Sequence, residues 1–388
     1  YLTPVFFSLS PTMQQTVQSH IFRLGDFAFH SGETLPDIQL AYETYGTLNE
    51  DRSNAILLFH ALTGSHHAHG YNDNLPEAGT FWQPENHHGW WDRMIGPGKP
   101  LDTERFFIIC ANYLGSCYGS SGPTQIAPDG EPWGSRFPMT DGNDQARAQI
   151  QLMNHFGIDR FAIVAPSLGG MLALTLAALY PERVRSMVII GAAHRPAISH
   201  KLEFFEQVLA IELDPAYRAG RYPLSDPPNR GLALARIISH KLFVYQDGLE
   251  KRARKGICDS KGMLTWYQPK RNTESYMLHQ GTKFAKRFDA NAYIRIVNLW
   301  AGYDLPTFTG MADTDEVFRL YAHHNIRFLL FSIDTDYCFT ADAIEEFHQE
   351  LTRNGVSSVH TRIRSEKGHD SFLLEPDLYA EGLAEYLQ

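Results

Sequence analysis

The chain has 388 residues, of which 43% are hydrophobic and 12% aromatic, so it is long and apolar enough to bury a large core. Charged residues of both signs make up 20% of the chain and give a formal net charge of −10 at pH 7. This balance provides no basic surface for a phosphate backbone, which argues against nucleic acid as a partner.

Cysteine usage and hydropathy bear on the compartment. The four cysteines are too few and too scattered for a disulfide scaffold, which favours a reducing compartment, and none of them forms a Cys-x-x-Cys pair; they are Cys110, Cys117, Cys258 and Cys338. No apolar run approaches the roughly 20 residues that span a bilayer, and residues 1–20 lack the basic-then-apolar order of a signal peptide. We expect a soluble cytoplasmic protein without a membrane partner. The chain begins at Tyr1 rather than methionine, so a preceding targeting segment stays open.

Short apolar runs alternate with segments of helical periodicity along most of the chain. The apolar runs predict buried strands at residues 55–60, 106–112, 161–166, 186–191, 326–333 and 359–363. Between them, residues 144–156 and 168–179 have helical apolar spacing, which stops at Gly157 and before Pro181 respectively. The alternation predicts a doubly wound α/β fold with a mostly parallel sheet.

This alternation stops between residues 196 and 324. Segments 201–213, 231–245 and 274–288 have helical periodicity there, and no strand run stands out. A helical insertion between two strands lies over the carboxyl edge of the sheet, where open α/β sheets bind their ligands. We therefore expect a core domain of residues 1–195 and 325–388, and a helical cap of residues 196–324 that supplies walls of a substrate site.

A serine stands where the third predicted strand meets a predicted helix. The local string is Ala165, Pro166, Ser167, Leu168, Gly169, Gly170. A nucleophile elbow needs small residues two positions before and two after the serine, so that the hydroxyl projects above the sheet. Ala165 and Gly169 meet this requirement, although alanine replaces the usual glycine. The alternative is a serine that only caps the helix.

The tail of the chain contains the partners that such a serine needs. A serine hydroxyl requires a histidine base oriented by a carboxylate, and in the α/β-hydrolase fold they follow in the order Ser, Asp or Glu, His. Asp334 and Asp336 follow the strand at 326–333, and His369 follows the last predicted strand. The alternatives are a cap of the next helix for either aspartate and a polar loop residue for His369.

Acyl chemistry at a serine also needs two backbone N–H groups that face the developing oxyanion. In this fold one comes from the residue after the nucleophile, which is Leu168. The other comes from the loop after an early strand, here residues 60–64, where Leu62 is the natural donor. A leucine can serve because only its backbone takes part.

Histidines are concentrated in two stretches of the chain. They are His60, His66, His67 and His69 in the first, and His87 and His88 in the second. Their spacing matches no zinc signature, and no cysteine or paired carboxylate completes a ligand set. We therefore expect no metal site.

Four basic residues occur within residues 251–255. Such a run is usually a solvated face. The functional alternative is a patch beside the mouth of the cap that attracts the phosphates of a coenzyme A thioester.

Several longer strings are similar to those of the homoserine O-acyltransferase family, whose usual member is homoserine O-acetyltransferase. In the predicted core they are residues 41–46, 60–65, 90–92, 95–99 and 112–123. In the predicted cap they are residues 231–236, 274–276, 280–281 and 287–291. The resemblance extends from about residue 20 to the end, and several strings are specific to the family rather than to the fold.

The resemblance implies transfer of an acyl group from acyl-coenzyme A, acetyl-coenzyme A in the usual member, to the hydroxyl of homoserine, as in methionine biosynthesis. It implies an acyl-serine at Ser167, His369 as general base and then acid, and Asp336 as the orienting carboxylate. It further implies small-molecule substrates, no tightly bound cofactor, and a homodimer.

Two further residues match the family positions that hold the acceptor amino acid. They are Arg236 and Asp370. A guanidinium can bind an α-carboxylate with two hydrogen bonds, and a carboxylate beside the catalytic histidine can hold the α-ammonium. For Arg236 the alternative is an ordinary salt bridge within the cap.

Three departures from the family pattern bear on the substrates. Ala165 and Pro166 stand where two glycines are usual, Cys338 stands where a leucine is usual, and residues 194–200 do not match. Related enzymes use serine as the acceptor or a succinyl donor. The identities of the acyl donor and of the acceptor therefore stay open. A second alternative is a carboxylesterase that uses the same triad with water as the acceptor.

Overall fold

The computed structural model describes residues 15–253 and 262–388. Within them, the main sheet has eight strands: β1 His20–Ala28, β2 Thr34–Tyr45, β3 Ala55–Leu58, β4 Phe107–Ala111, β5 Phe161–Pro166, β6 Val184–Ile190, β7 Arg327–Ile333 and β8 Ser358–Ile363. They lie in the order β1-β2-β4-β3-β5-β6-β7-β8. The β1–β2 and β2–β4 pairs are antiparallel and the others are parallel, which confirms a mostly parallel sheet.

Helices cover the sheet and fill the insertion between β6 and β7. In the described residues they are α1 Gly142–His155, α2 Leu168–Leu179, α3 Ile198–Glu212, α4 Asn229–Phe243, α5 Gln246–Arg252, α6 Asn272–Arg287, α7 Ala290–Ala301, α8 Leu305–Thr309, α9 Thr314–His323, α10 Ala341–Arg353, α11 Ser371–Leu374 and α12 Asp377–Tyr386. None of these is long and apolar enough to cross a membrane.

The six predicted strands all form, and their ends differ from the prediction by at most two residues. The sequence pattern misses β1 and β2, for a physical reason. Strands buried on both faces read as continuous apolar runs, whereas β1 is a largely exposed edge strand in which polar residues interrupt the apolar ones.

The strand and helix on either side of Ser167 form the centre of the core. Every residue of β5 is buried, as is every residue of α2 except the last, Leu179. A helix that is apolar all round must be covered on all sides, and α2 lies between the sheet and helices α1, α7, α8 and α9. Two buried hydroxyls fix this layer, because Tyr303 donates to the Met171 carbonyl at 2.6 Å and Tyr321 to the Leu174 carbonyl at 2.7 Å.

The insertion between β6 and β7 contains helices and, within the described residues, no strand. Helices α3, α4 and α6 pack on one another, whereas α8 and α9 pack on α2 and α9 also packs on α10. The division into a core of residues 1–195 and 325–388 and a cap of residues 196–324 stays a prediction. The packing of α8 and α9 favours a smaller cap.

Candidate active site

The turn that carries Ser167 is strained. Ser167 has φ 55° and ψ −130°, a conformation that side chains other than glycine rarely adopt. A Cβ added at Gly169 would lie 2.7 Å from the Phe59 Cβ, and one added at Gly170 would lie 2.7 Å from the Ala192 Cβ. Helix α2 therefore begins in direct contact with the ends of neighbouring strands, and only glycine fits at these two positions.

The unusual Ala165 and Pro166 fit into this turn without distortion. Both continue strand β5, where Ala165 pairs with Ile189 and Pro166 with Ile190 of β6. Neither has a positive φ. The conformational demand of the elbow thus falls on Ser167 and on the glycines after it, and a side chain is tolerated before it.

Ser167, His369 and Asp336 form a continuous hydrogen-bonded chain. The Ser167 Oγ lies 2.7 Å from His369 Nε2, and His369 Nδ1 lies 2.7 Å from Asp336 Oδ2. The three residues are almost fully buried, with exposed fractions of 2%, 2% and 4% respectively. This geometry lets the imidazole accept the serine proton while the aspartate holds the ring and stabilises its charged form.

The two aspartates that follow β7 have different hydrogen-bond partners. Asp336 contacts His369 with one carboxylate oxygen, and with the other it accepts the backbone N–H groups of Cys338 at 2.6 Å and Phe339 at 3.0 Å. Asp334 is exposed and accepts the backbone N–H of Ser365 at 3.0 Å. Only Asp336 is therefore placed to orient the imidazole.

Burial and two neighbouring carboxylates set the basicity of His369. Burial opposes its positive charge, but the charge and hydrogen bond of Asp336 and the charge of the neighbouring Asp370 outweigh that effect and raise the pKa of His369. The neutral ring that acts as a base therefore forms only as the pH rises through this raised value.

A cavity of about 320 Å³ opens onto the serine and histidine. Five of the seven predicted site residues line it: Leu62, Ser167, Arg236, His369 and Asp370. The other two, Leu168 and Asp336, lie buried behind Ser167 and His369. The fold thus brings together residues from four distant segments, including helix α4.

The two predicted oxyanion donors flank Ser167. Leu168 is the first residue of α2, where backbone N–H groups have no partner within the helix. Leu62 lies in the loop after β3, which turns back through a hydrogen bond from the Gly64 N–H to the Ala61 carbonyl at 3.0 Å. The hydroxyl of Tyr113 donates to the His60 carbonyl at the start of this loop.

Arg236 extends from α4 into the cavity between two aromatic rings. Its guanidinium carbon lies 5.1 Å from the ring centres of both Phe243 and Phe284. Burial lowers the pKa of Arg236, while the negative charge of Asp370 acts in the opposite direction. Among the described residues, no carboxylate forms an ion pair with Arg236.

The sequence prediction missed three charged residues of the cavity. Glu85 accepts from Arg287 Nε at 3.0 Å and from Lys283 Nζ at 2.5 Å, and Arg287 Nη1 also donates to the Thr63 carbonyl at 3.3 Å. Lys283 and Arg287 are four positions apart on α6, and such spacing places two residues on one helix face. That spacing, within a string typical of the family, was the available signal.

One group of potential metal ligands gathers within the described residues, and it overlaps the triad. Asp336, Cys338 and His369 place one ligand atom each within 4.8 Å of one another. The triad contacts already occupy Asp336 and both nitrogens of His369. Burial disfavours the thiolate form of Cys338 and so raises the pKa of its thiol.

The predicted basic patch at residues 251–255 lies only partly within the described residues. Lys251 is exposed, and residues 254–261 lie outside the described part of the chain.

The sheet order, the elbow at Ser167 and the Ser-His-Asp chain define an α/β-hydrolase-fold protein, and the family model for the alpha/beta hydrolase fold matches residues 54–376. Homoserine O-succinyltransferase from Acidithiobacillus ferrooxidans is 38% identical over 92% of this chain and 90% of its own. Homoserine O-acetyltransferase from Natronomonas pharaonis is 37% identical over 94% and 90%. The chain therefore belongs to the homoserine O-acyltransferase family.

Solved structures support the same fold. Homoserine O-acetyltransferase from Bacillus anthracis matches with a TM-score of 0.84 and 26% identity, over 96% of this chain and 98% of that one. Esterase E22 also matches with a TM-score of 0.84, at 24% identity over 96% and 100%. At that identity the esterase shows a shared fold alone.

Exchanging each aspartate after β7 tests the triad geometry. We expect Asp336→Asn to lower the rate at which a fluorophosphonate labels Ser167 by about 10³- to 10⁴-fold, because the imidazole loses its orienting charge. The pH midpoint of the remaining labelling should fall, because Asp336 no longer raises the pKa of His369. The control Asp334→Asn should keep both the rate and the midpoint. A larger loss in the control than in Asp336→Asn would contradict the assignment.

Proposed function

We propose that the enzyme transfers an acyl group from acyl-coenzyme A to the hydroxyl of homoserine through an acyl-Ser167 intermediate. The observation that carries this proposal is that Arg236 and Asp370 line the same cavity as Ser167 and His369. The first can bind the α-carboxylate and the second the α-ammonium of an amino acid. An enzyme that only hydrolyses simple esters has no use for this pair.

The named relatives support the acceptor more firmly than the donor. The relatives from Acidithiobacillus ferrooxidans and Natronomonas pharaonis are both homoserine O-acyltransferases, but the first is named for a succinyl and the second for an acetyl group. We propose acetyl-coenzyme A as the donor, on the resemblance to the usual family member, with succinyl-coenzyme A as the alternative. We place the reaction in cytoplasmic methionine biosynthesis.

The geometry suggests a two-step mechanism. In the first step His369 removes the proton of Ser167 as its Oγ attacks the thioester carbonyl, and the oxyanion accepts hydrogen bonds from the N–H groups of Leu62 and Leu168. Collapse of the tetrahedral intermediate expels coenzyme A as its thiol, with a proton from His369. In the second step His369 removes the proton of the homoserine hydroxyl as its oxygen attacks the acyl-serine carbonyl. Collapse of this second tetrahedral intermediate releases O-acylhomoserine, and His369 returns the proton to the Ser167 Oγ.

The cap provides the reason why an amino acid can compete with water. Residues of α4 and α6, among them Arg236 and Arg287, form walls of the cavity, and the aromatic ring of Phe243 completes the wall at the end of α4. Such walls limit bulk water at the acyl-serine, while the charged pair holds the acceptor. Carboxylesterase activity is therefore expected as a slow side reaction.

Removal of the nucleophile tests the intermediate. Wild-type enzyme mixed with acetyl- or succinyl-coenzyme A should gain one acyl mass on Ser167, because the acyl-enzyme waits for an acceptor. Ser167→Ala should gain none and should lose turnover by several orders of magnitude with an unchanged circular dichroism spectrum. Intact-mass spectrometry makes the measurement. A persistent acyl adduct in Ser167→Ala would refute the nucleophile assignment.

Arg236→Lys tests acceptor binding. Lysine keeps the charge but cannot form the two-pronged contact, so we expect the homoserine KM to rise by about tenfold or more. Single-turnover release of coenzyme A should stay near the wild-type rate, because the acceptor takes no part in that step. The control is Arg230→Lys, an exposed arginine on the same helix, which should change neither value.

A comparison of two acceptors tests the substrate. The kcat/KM for homoserine should exceed that for serine by roughly 10- to 200-fold, since one methylene is worth about 1–3 kcal/mol. Equal use of serine would contradict the assignment of homoserine as the acceptor, although the proposed acyl transfer would stand.

We further propose a homodimer that forms through α3. One face of α3 and its C-terminal cap exposes a stripe of large apolar side chains: Ile198, Leu202, Phe205, Leu209 and Leu213. Their spacing of three and four residues places them on one side of the helix. The exposed charges of the first half of α3 include Lys201, beside the partly buried Glu203, and those of the second half are Glu206 and Glu212. Antiparallel pairing with α3 of a second copy would bring Lys201 of each copy towards these exposed glutamates of the other.

A single charge in the stripe should abolish this dimer. We expect Phe205→Glu to convert the dimer into a monomer in sedimentation velocity at micromolar concentration, because the glutamate would be buried opposite apolar residues. The control Ile126→Glu exchanges an equally exposed apolar residue outside this face and should remain dimeric. A monomeric wild type, or a dimeric Phe205→Glu variant, would exclude this interface.

A further inference from the structure

A fully buried carboxylate lies beneath the loop that carries Leu62. Glu43 of β2 has no exposed surface, and four groups donate hydrogen bonds to it. Its Oε1 accepts from Ser19 Oγ at 2.8 Å and from Asn72 Nδ2 at 3.1 Å, and its Oε2 accepts from the Tyr45 hydroxyl at 2.7 Å and from His67 Nδ1 at 2.8 Å. A buried carboxylate with this many donors is held in one orientation.

The contacts of His67 show that its ring is charged. Its Nδ1 faces Glu43, and its Nε2 lies 3.0 Å from the His87 carbonyl oxygen, which can only accept. Burial works against ionisation of Glu43, but the hydrogen bond and charge of His67, with smaller effects of His66 and Tyr45, lower the pKa of Glu43 to about 2. Both ring nitrogens of His67 therefore face acceptors, and each must carry a hydrogen.

Hydrogen bonds with side chains around this ion pair fix the backbone of residues 60–68. The Tyr45 hydroxyl accepts the Ala68 N–H at 2.7 Å, and the indole N–H of Trp90 donates to the Ser65 carbonyl at 2.9 Å. At the other end, Tyr113 donates to the His60 carbonyl. The segment that contains Leu62 is thus held on both sides, and His67 itself lines the catalytic cavity.

We infer that the buried Glu43–His67 ion pair is a positioning element that holds the loop so that the Leu62 N–H faces the oxyanion. This inference rests on the proposed role of Leu62. Neither member of the pair touches a reacting atom, so its effect should be on the transition state rather than on donor binding. A loop misplaced by a fraction of an ångström weakens an oxyanion hydrogen bond while leaving the substrate bound.

Among the described residues, the other ionisable groups beside the pair cannot replace Glu43 as the counter-charge. Burial, together with the positive His67, lowers the pKa of His66 to about 4, so His66 stays neutral. Burial also raises the pKa values of Tyr45 and Cys110, which keeps both neutral. His69 is paired with Asp92 at 2.7 Å. Removing the charge of Glu43 should therefore leave His67 as an uncompensated buried cation.

Glu43→Gln tests the inference because glutamine has nearly the same shape but lacks the charge and has an N–H donor in place of one acceptor oxygen. We expect the contact with His67 to be lost and the loop to shift, since a buried cation without a counter-charge is disfavoured. Single-turnover acylation of Ser167 at saturating acyl-coenzyme A should fall by about 10- to 100-fold, while the donor KM changes less than twofold.

The chain contains a matched control. His360 Nδ1 lies 2.7 Å from Glu345 Oε2, a similar contact between β8 and α10 in which the carboxylate is exposed. Glu345→Gln should leave the acylation rate and the donor KM unchanged. His67→Gln is a second variant for the case in which Glu43→Gln does not fold. It should also reduce the acylation rate while the donor KM changes less than twofold, because it removes the same contact from the other side.

Two results would overturn the inference. One is a folded Glu43→Gln variant that acylates at the wild-type rate. The other is a loss confined to the donor KM. A wild-type enzyme that forms no acyl-Ser167 with any acyl-coenzyme A would instead refute the proposed function, and the inference with it.

Discussion

The strained turn at Ser167 is the constraint on which the rest of the site depends. A non-glycine residue keeps φ near 55° only where its surroundings leave no alternative, and here the surroundings are the most buried part of the molecule. Strand β5 and helix α2 are covered on all sides, and Gly169 and Gly170 allow α2 to begin against neighbouring strands. Burial of apolar surface in this layer offsets the strain, and the result is a hydroxyl that projects above the sheet edge.

Charge organises what surrounds that hydroxyl. Asp336 compensates the buried His369, and Asp370 faces both His369 and Arg236. Glu43 compensates His67 under the loop of Leu62, and Glu85 pairs with two cations of α6 on the cap side. The buried charges of His369 and His67 thus each have an opposite charge in direct contact, as a low-dielectric interior requires. Within the described residues, the guanidinium of Arg236 is the cavity cation that has aromatic rings rather than a carboxylate in direct contact, which suits it to a ligand carboxylate.

The sequence predicted an element accurately where burial gives that element a clear apolar pattern. Buried parallel strands and the apolar helix α2 were predicted within two residues, because full burial leaves an uninterrupted apolar run. The antiparallel strands β1 and β2 and helices α7 to α9 were not predicted. Strand β1 lies at the edge of the sheet, both strands mix polar and apolar residues, and α8 has only five residues. Glu85, Lys283 and Arg287 were missed because each is an ordinary charged residue until α6 packs beside the loop that carries Glu85.

The sequence by itself determined the class of the fold, the order of Ser167, Asp336 and His369, and the family, because these depend on local patterns and on short strings. It could not distinguish Asp334 from Asp336 without the family match, since both lie at the end of the same strand, and only the turn after β7 decides which carboxylate reaches His369. Tertiary structure alone placed Arg236 opposite Asp370 across 134 positions of the chain and put His67 onto Glu43. Contacts between distant segments depend on how whole layers pack, and no local pattern encodes that packing.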